Sequence, residues 1–129
     1  MPRFLNPSSI AAPSSQYSHG VEHGLGGRRL VISGQVAMRR DGTLAEGLEA
    51  QLGQCWDNVI EVLRDAGMEA SDLVKVTIYV TVPNAIAVSR RVREEKLRGH
   101  GPAATFVQVA GLARPEFLAE IEGEAVKEG

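Results

Sequence analysis

The most regular stretch of the chain alternates apolar and polar residues over 74–82. Successive side chains of a strand point to opposite faces, and β-branched residues favour extended backbone, so this pattern predicts a strand. One face would carry Val74, Val76, Ile78, Val80 and Val82, and the other face Lys75, Thr77, Tyr79 and Thr81.

Two segments show the three- and four-residue spacing of amphipathic helices. The first spans 48–66 and is expected to end at Gly67, because glycine adopts the left-handed backbone past a last helical turn at little cost. The second is expected to be capped by Asn84 and to run to Arg98. Its inward side would carry Ala85, Val88 and Val92, and its solvent side Arg90, Arg91, Arg93, Glu94 and Glu95.

Shorter patterns predict four further strands. A hairpin is suggested by three consecutive features: alternation from Gln16 to His23, a glycine-rich turn at 24–27, and a second strand pattern at 29–36. Its second strand contains Leu30-Val31-Ile32, a run typical of a strand buried on both faces. Two more strands are expected at 105–110 and 118–126, and residues 1–15, rich in Pro, Ser and Asn, are expected to form a surface arm.

This order of elements predicts an α+β fold in which one mixed sheet carries two helices packed on one face. A strand before the first helix and another after it imply a βαβ crossover. The opposite face of the sheet would be uncovered and would carry Leu118 and a row of three carboxylates, Glu120, Glu122 and Glu124. Such a row is either a solvated face or a source of a general acid or base.

Composition narrows the possible functions. With 129 residues the chain has room for one domain, expected to span 1–129. The net charge of −2 gives no basic footprint for nucleic acid or for an anionic membrane, and every apolar run is too short to span a bilayer. The chain has one cysteine, Cys55, and no signal-peptide pattern at its start, so we expect a cytoplasmic protein.

Several motifs favour a structural interpretation over a chemical one. The glycines at 24–27 begin like a dinucleotide-binding motif, but Arg29 stands at the third glycine position and no helix follows. His19 and His23 have a ligand spacing only on a helix, whereas their surroundings predict a strand, so no metal site is expected. Cys55 lies beside Trp56 on the predicted helix and is expected to be a small buried hydrophobe.

Taken in order, several runs resemble the RidA/YjgF family over nearly the whole chain. They are Gln16–Val21, Leu30–Val36 with Ser-Gly-Gln, Asp72–Val80 with Asp-x-Val-Lys-x-Thr, Pro102–Thr105, and the terminal Glu120-Ile121-Glu122. The resemblance implies a chorismate-mutase-like fold and a homotrimer whose sheets form a central barrel. It also implies clefts between subunits in which reactive enamines and imines are hydrolysed to carbonyl compounds and ammonia, without metal or cofactor.

The resemblance also implies the site residues. Tyr17 matches the family tyrosine that closes the pocket, Gly34 the glycine whose backbone contacts substrate, and Glu120 the glutamate that positions the attacking water. The remaining substrate contacts are expected from Ser33, beside that glycine, and from Ser89, Ala104, Thr105 and Phe106.

Three of these positions depart from the family pattern. Ala104 stands where active deaminases carry the arginine that grips the substrate carboxylate, Phe106 replaces a cysteine, and Ser89 replaces an asparagine. We therefore expect a larger or uncharged substrate rather than 2-aminoacrylate, with Arg114 or His100 replacing the lost polar contact. The alternative is a catalytically silent trimer that binds a small molecule or a protein. Nucleic-acid cleavage, attributed to some relatives, is disfavoured by the acidic composition.

Overall fold

The computed structural model describes residues 2–128, which form six strands, two helices and one short 3-10 turn. The elements are β1 Arg3–Leu5, β2 Gly20–Glu22, β3 Arg28–Gln35, α1 Leu48–Asp65, the 3-10 turn Ala70–Asp72, β4 Leu73–Val80, α2 Ile86–Leu97, β5 Ala103–Gln108 and β6 Ala119–Lys127. This confirms the α+β class.

The main sheet is mixed and has the strand order β3-β6-β4-β5. Strand β6 is antiparallel to both of its neighbours, and β5 is parallel to β4. Strands β3 and β4 therefore run in the same direction, with β6 between them and α1 as the connection. The crossover predicted from the helix-strand sequence is confirmed.

The core lies between one face of this sheet and the helices. Its largest fully buried members include Trp56, Leu52 and Leu63 of α1 with Ile78 of β4 and Ile121 of β6. Gly123 leaves room for the backbone and side chains of β4, because a Cβ there would lie 3.0 Å from the Lys75 carbonyl oxygen. The small apolar side predicted for the last strand is thus the side that faces the core.

Helix α1 has the bounds that its pattern predicts, and Gly67 follows it with φ of +71°. Two amides fix its position. The Gln51 side chain donates to the Glu116 carbonyl oxygen at 3.0 Å and accepts from the Leu118 N–H at 2.8 Å. The Asn58 amide donates to the Val36 carbonyl oxygen at 3.0 Å. Helix α1 therefore holds the chain entering β6 and the chain leaving β3.

The predicted hairpin is wrong. Strand β2 pairs with β1 in a separate two-stranded sheet, with Phe4 opposite Val21. The reason lies just upstream, where Ser18 pairs with Ala103 at the far edge of the main sheet. Because β6 and β4 lie between that edge and β3, residues 20–22 cannot turn directly back onto β3.

Three smaller expectations are also corrected. Asn84 does not cap α2, because it adopts a left-handed φ of +57° and Ala85 takes the cap position without a side-chain bond. A register shift between Leu73 and Lys75 places Leu73, and not Val74, in the hydrophobic core. The run at 30–32 is not buried on both faces in one chain, since Val31 is 61% exposed.

The sheet face opposite the helices, which we call the open face, carries mostly polar groups. Strand pairing places these side chains on it: Arg29 and Val31 of β3, Lys75, Thr77 and Tyr79 of β4, Thr105 and Val107 of β5, and Glu120, Glu122 and Glu124 of β6. The predicted row of carboxylates is confirmed as a row on one face, and it is only partly exposed.

Candidate functional site

One group of predicted site residues meets beside the edge strand β5. The Ser18 N–H donates to the Pro102 carbonyl oxygen at 3.1 Å, and the Ser18 hydroxyl donates to the Gly101 carbonyl oxygen at 2.6 Å. These bonds bring Tyr17 alongside β5 and α2. A cavity of about 170 Å³ results, which we call the arm pocket; it is lined by Ser14, Ser15, Tyr17, Ile86, Ser89, Arg90, Arg93, Ala104 and Phe106.

Arg93 belongs to this pocket, which corrects the prediction that it faces solvent. It is only 6% exposed, and its Nη2 donates to the Ser15 hydroxyl at 3.1 Å. Its Nε is buried and has no hydrogen-bond partner. Burial lowers the pKa of the Arg93 guanidinium. Helical periodicity missed this residue because the segment that buries it, which includes Ser15 of the predicted surface arm and Tyr17, is distant in sequence.

A second group of predicted residues lies at a bulge in β3. The register between β3 and β6 shifts between Ile32 and Gln35, so Ser33 and Gly34 together lie opposite one residue of β6. The Glu120 carboxylate occupies the space above Gly34. A Cβ at position 34 would lie 1.9 Å from Glu120 Oε2, so any side chain there would displace the carboxylate. We call Ser33, Gly34 and Glu120 the bulge site.

The two groups lie on opposite faces of the sheet. Glu120 is paired with Tyr79, and both side chains point to the open face. Phe106 is paired with Ile78, whose side chain is in the core on the helix side, and Ala104 shares that side. Paired residues share a face, so Glu120 cannot reach the arm pocket of its own chain. A single chain therefore keeps the arm pocket and the bulge site apart.

The surroundings of Glu120 are polar and partly shielded. Partial burial raises the pKa of Tyr79, and the negative charge of Glu122, with the hydrogen bond between them, adds to this effect. Lys75 Nζ donates to the Thr77 hydroxyl at 3.2 Å, and Arg29 pairs with Glu124 at 3.2 Å. Glu120 therefore shares the open face with two further carboxylates, and Tyr79 is its direct cross-strand neighbour.

Three other predicted contacts lie outside the arm pocket. Thr105 points to the open face, on the opposite side of β5 from Ala104 and Phe106. Arg114 lies over the Phe117 ring, 5.4 Å from its centroid, and His100 Nε2 donates to the Leu73 carbonyl oxygen at 2.7 Å. The structure therefore brings together Tyr17, Ser89, Ala104 and Phe106, and separately brings together Ser33, Gly34 and Glu120. Thr105, Arg114 and His100 lie outside both groups, although His100 lines a neighbouring cavity with Tyr17.

Cys55 is buried, as its helix position predicts, and its Sγ donates to the Ala119 carbonyl oxygen at 3.6 Å. Burial raises the pKa of this thiol to about 12, and the Glu120 charge adds to the shift. A thiol with this pKa is protonated at neutral pH and is a poor nucleophile.

His19 contacts the N-terminal segment of the chain. His19 Nε2 donates to the Ala11 carbonyl oxygen at 2.7 Å, and its ring meets the Tyr17 ring edge to face at 5.6 Å.

Within residues 2–128, the His, Cys, Asp and Glu side chains form no group of three that could hold a metal ion. Over the same residues, neither helix is long and apolar enough to cross a membrane.

Comparison with known proteins identifies the family of this chain. The family model described as Endoribonuclease L-PSP matches residues 8–127. The chain is 30% identical over 131 aligned residues to the 2-iminobutanoate/2-iminopropanoate deaminase of Salmonella typhimurium, covering 98% of this chain and 99% of that protein. It belongs to the RidA/YjgF family. A second member of the RidA/YjgF family, a RutC family protein of Aquifex aeolicus, is 41% identical over 126 residues and covers 96% of this chain and 97% of its own.

Solved structures show the same RidA/YjgF fold. The Rid family protein YyfB of Yersinia pestis superposes with a TM-score of 0.89 at 39% identity, over 98% of each chain. RidA of an Antarctic Psychrobacter superposes with a TM-score of 0.74 at 28% identity, over 97% of this chain and 99% of that one.

Proposed function

We propose that the protein hydrolyses reactive enamine or imine compounds to a carbonyl product and ammonia. The observation that carries the proposal is the Glu120 carboxylate seated on the bulge at Gly34, in the position that family likeness assigns to the water-positioning group. RidA-type imine deamination is the activity named for relatives that align over the full chain.

The proposed reaction needs few protein groups. An imine carbon is electrophilic, so a water held by Glu120 adds to it while the imine nitrogen gains a proton, giving a carbinolamine. Loss of ammonia from the carbinolamine then forms the C=O bond, so one water is consumed for each ammonia released. Tyr17 closes the pocket over the reacting group. No electron transfer occurs in these steps, and no cofactor is required by them.

The working unit in this proposal is a homotrimer with clefts between subunits. The placement of the arm pocket and the bulge site on opposite faces supports it, because a neighbouring chain is the simplest way to bring a bulge site against an arm pocket. The open face supports it as well, since Val31 is 61% exposed there among partly buried polar groups. Packing of three sheets would cover this face, and the site residues Thr105 and Ser33 on it would then lie near a subunit boundary.

The proposed substrate is not 2-aminoacrylate. Strand β5 offers no charge to a carboxylate, because Ala104 stands at the arginine position, and Phe106 of β5 and Ile86 of α2 add apolar surface to the arm pocket. A pocket of this kind suits an imine with a larger side chain than that of alanine. The sequence-based guess that Arg114 or His100 replaces the missing contact gains no support from their positions.

The alternative is a trimer that binds a small molecule or a protein partner without chemistry, and Ala104 favours it. Substitution Ala104→Arg distinguishes the two. Gain of hydrolysis toward 2-iminopropanoate would show that the rest of the site is intact and would favour hydrolysis with altered selectivity over the silent alternative.

Ammonia release tests the main proposal. Imines are generated in situ by an amino-acid oxidase from amino acids of increasing side-chain size, with semicarbazide present to capture imine that escapes. The protein should accelerate ammonia release, most for larger side chains, and Glu120→Gln should lower kcat/KM about a hundredfold or more. Glu124→Gln is the matched control, because that residue lies on the same strand and face and pairs with Arg29.

Equal rates for Glu120→Gln and the unmodified protein would remove the catalytic assignment. No acceleration with any imine, in a protein that remains folded and assembled, would contradict hydrolysis and leave the silent trimer.

A further inference from the structure

We propose that Arg93, assisted by Arg90, is the anion-binding group of the arm pocket, so that the ligand of this pocket carries a carboxylate. The inference builds on the proposed function by naming a residue and a ligand class for the same site. It relocates the carboxylate contact from strand β5, where Ala104 provides no charge, to helix α2 on the other wall of the pocket.

Arg93 is buried without an ion-pair partner. Its side chain forms no ion pair within the described residues, and its Nε has no hydrogen-bond acceptor. Its one hydrogen bond goes to the neutral hydroxyl of Ser15. A guanidinium removed from water without a counter-ion is costly, and a bound anion offsets that cost.

The exposed arginines of the helices behave differently. Arg91, two residues before Arg93, pairs with Glu49, and Arg64 pairs with Glu61. Carboxylates are therefore available to arginines on the helix surfaces, whereas the arginine inside the cavity is left without one. This contrast indicates that the lack of an ion-pair partner for Arg93 among the described residues is a feature of the pocket.

A second guanidinium points to the same place. Arg90 lies one helical turn before Arg93, lines the same cavity, and donates to the Ser14 hydroxyl at 3.2 Å. The two arginines thus reach two consecutive serines of the arm. Together these groups present several N–H and O–H donors around one cavity, a set that matches the two oxygens of a carboxylate.

The size of the neighbouring side chains fits this placement. Ala104 is small and leaves space opposite Arg93, whereas an arginine at that position would bring a third positive charge into the cavity. Phe106 and Ile86 supply apolar surface beside the charged wall. The pocket therefore suits a carboxylate attached to an apolar group, with the carboxylate directed toward α2.

Sodium pyruvate is the probe for this inference, and neutral pyruvamide is its control of equal size. The arginine Nε–H resonances of nitrogen-15-labelled protein are followed during titration, with sodium chloride matched for ionic strength. The Arg93 resonance, assigned by its absence from Arg93→Lys, should shift saturably with pyruvate and not with pyruvamide. Arg93→Gln should weaken pyruvate binding about tenfold to a hundredfold, because a charge-assisted contact is lost.

Arg91→Gln is the matched control, since it removes an arginine of the same helix that lies outside the pocket. It should leave pyruvate affinity unchanged. Arg93→Lys keeps the charge without the fork of donors and should bind pyruvate with intermediate affinity. Because the resonance is measured on the unmodified protein, the inference stays testable if Arg93→Gln fails to fold.

An Arg93 resonance that does not respond to pyruvate would overturn the inference, as would equal affinity for pyruvate and pyruvamide. If Arg93→Gln instead dissociated the oligomer while the resonance ignored pyruvate, a carboxylate of a neighbouring subunit would be the true partner. If pyruvate bound at Arg93 but no imine were hydrolysed, the inference would stand and the proposed function would fail. If the protein hydrolysed imines and Arg93→Gln left KM unchanged, the proposed function would stand and the inference would fail.

Discussion

At the scale of single residues, the site depends on one contact between a glycine and a carboxylate. Gly34 lacks the Cβ that would collide with Glu120 Oε2, and the bulge in β3 turns its backbone toward that oxygen. The atom in conflict is the far end of a flexible side chain. A substitution at position 34 therefore moves the carboxylate more easily than it disturbs the fold.

We predict that Gly34→Ala lowers kcat for imine hydrolysis about as much as Glu120→Gln does, while the free energy of unfolding changes by about 1 kcal/mol or less. Enzyme kinetics and urea denaturation measure the two effects. Gly111→Ala is the control, because a Cβ there would meet nothing within 4 Å. Full activity in Gly34→Ala would show that the position of the Glu120 carboxylate does not matter.

The single cysteine gives a second prediction at this scale. Because burial raises the pKa of the Cys55 thiol to about 12, the native protein should react with iodoacetamide only through unfolding. Raising the pH from 7 to 9 should accelerate alkylation of the urea-unfolded chain, in which the thiolate forms, and at both pH values the native protein should react more slowly by about the factor set by its unfolding equilibrium. Mass spectrometry follows the reaction, and rapid alkylation of the native protein at pH 7 would contradict the buried position.

At the scale of the elements, helix α1 supports the site through its buried amides. Gln51 is 2% exposed and bonds to the backbone of the loop that enters β6, two residues before Glu120. The Gln51 side chain thus makes the hydrogen bonds to this loop that a neighbouring strand would otherwise make. The position of Glu120 along the sheet therefore depends on α1 as well as on strand pairing.

We predict that Gln51→Ala lowers the free energy of unfolding by about 1–3 kcal/mol, because the partly buried Leu118 N–H and Glu116 carbonyl lose their partner and the buried Gln51 side chain leaves a gap. Gln54→Ala on the same helix is the matched control, since its amide donates to the Asn58 side chain and leaves no buried backbone group unpaired. Urea denaturation compares the two variants. Equal losses would show that the Gln51 bonds contribute little.

Local patterns predicted the elements well and their long-range partners poorly. The periodicity of α1 and the alternation of β4 depend on neighbours a few residues away, so both could be identified from sequence. The position of β2 depends on Ser18 bonding to residues more than 80 positions later, and the burial of Arg93 depends on the arm at 14–17. No local signal records either contact.

The same reasoning applies to the site. Family likeness selected Tyr17, Ser89, Ala104 and Phe106, and these do line one cavity. The separation of that cavity from Glu120 follows from strand order and from which face each residue occupies. Neither the strand order nor the face that each residue occupies can be predicted until the pairing of β4, β5 and β6 is known.

At the scale of the whole molecule, the arrangement suggests that one chain is an incomplete enzyme. The arm pocket holds Tyr17 and the arginines on the helix side, while Glu120 lies on the open face. We expect a particle of three times the 13.8 kDa chain mass, in which the arm pocket of one subunit meets the bulge site of its neighbour.

Mixed trimers test this central claim most directly. One variant carries Tyr17→Phe and Arg93→Gln, which disable the arm pocket. The other carries Glu120→Gln, which disables the bulge site. Trimers of either variant alone should be inactive. After unfolding and joint refolding in equal amounts, random assembly in a closed ring should leave about a quarter of the clefts intact and restore about that share of unmodified ammonia release. Mixed particles of trimer mass that remain as inactive as their parents would contradict a site shared between subunits.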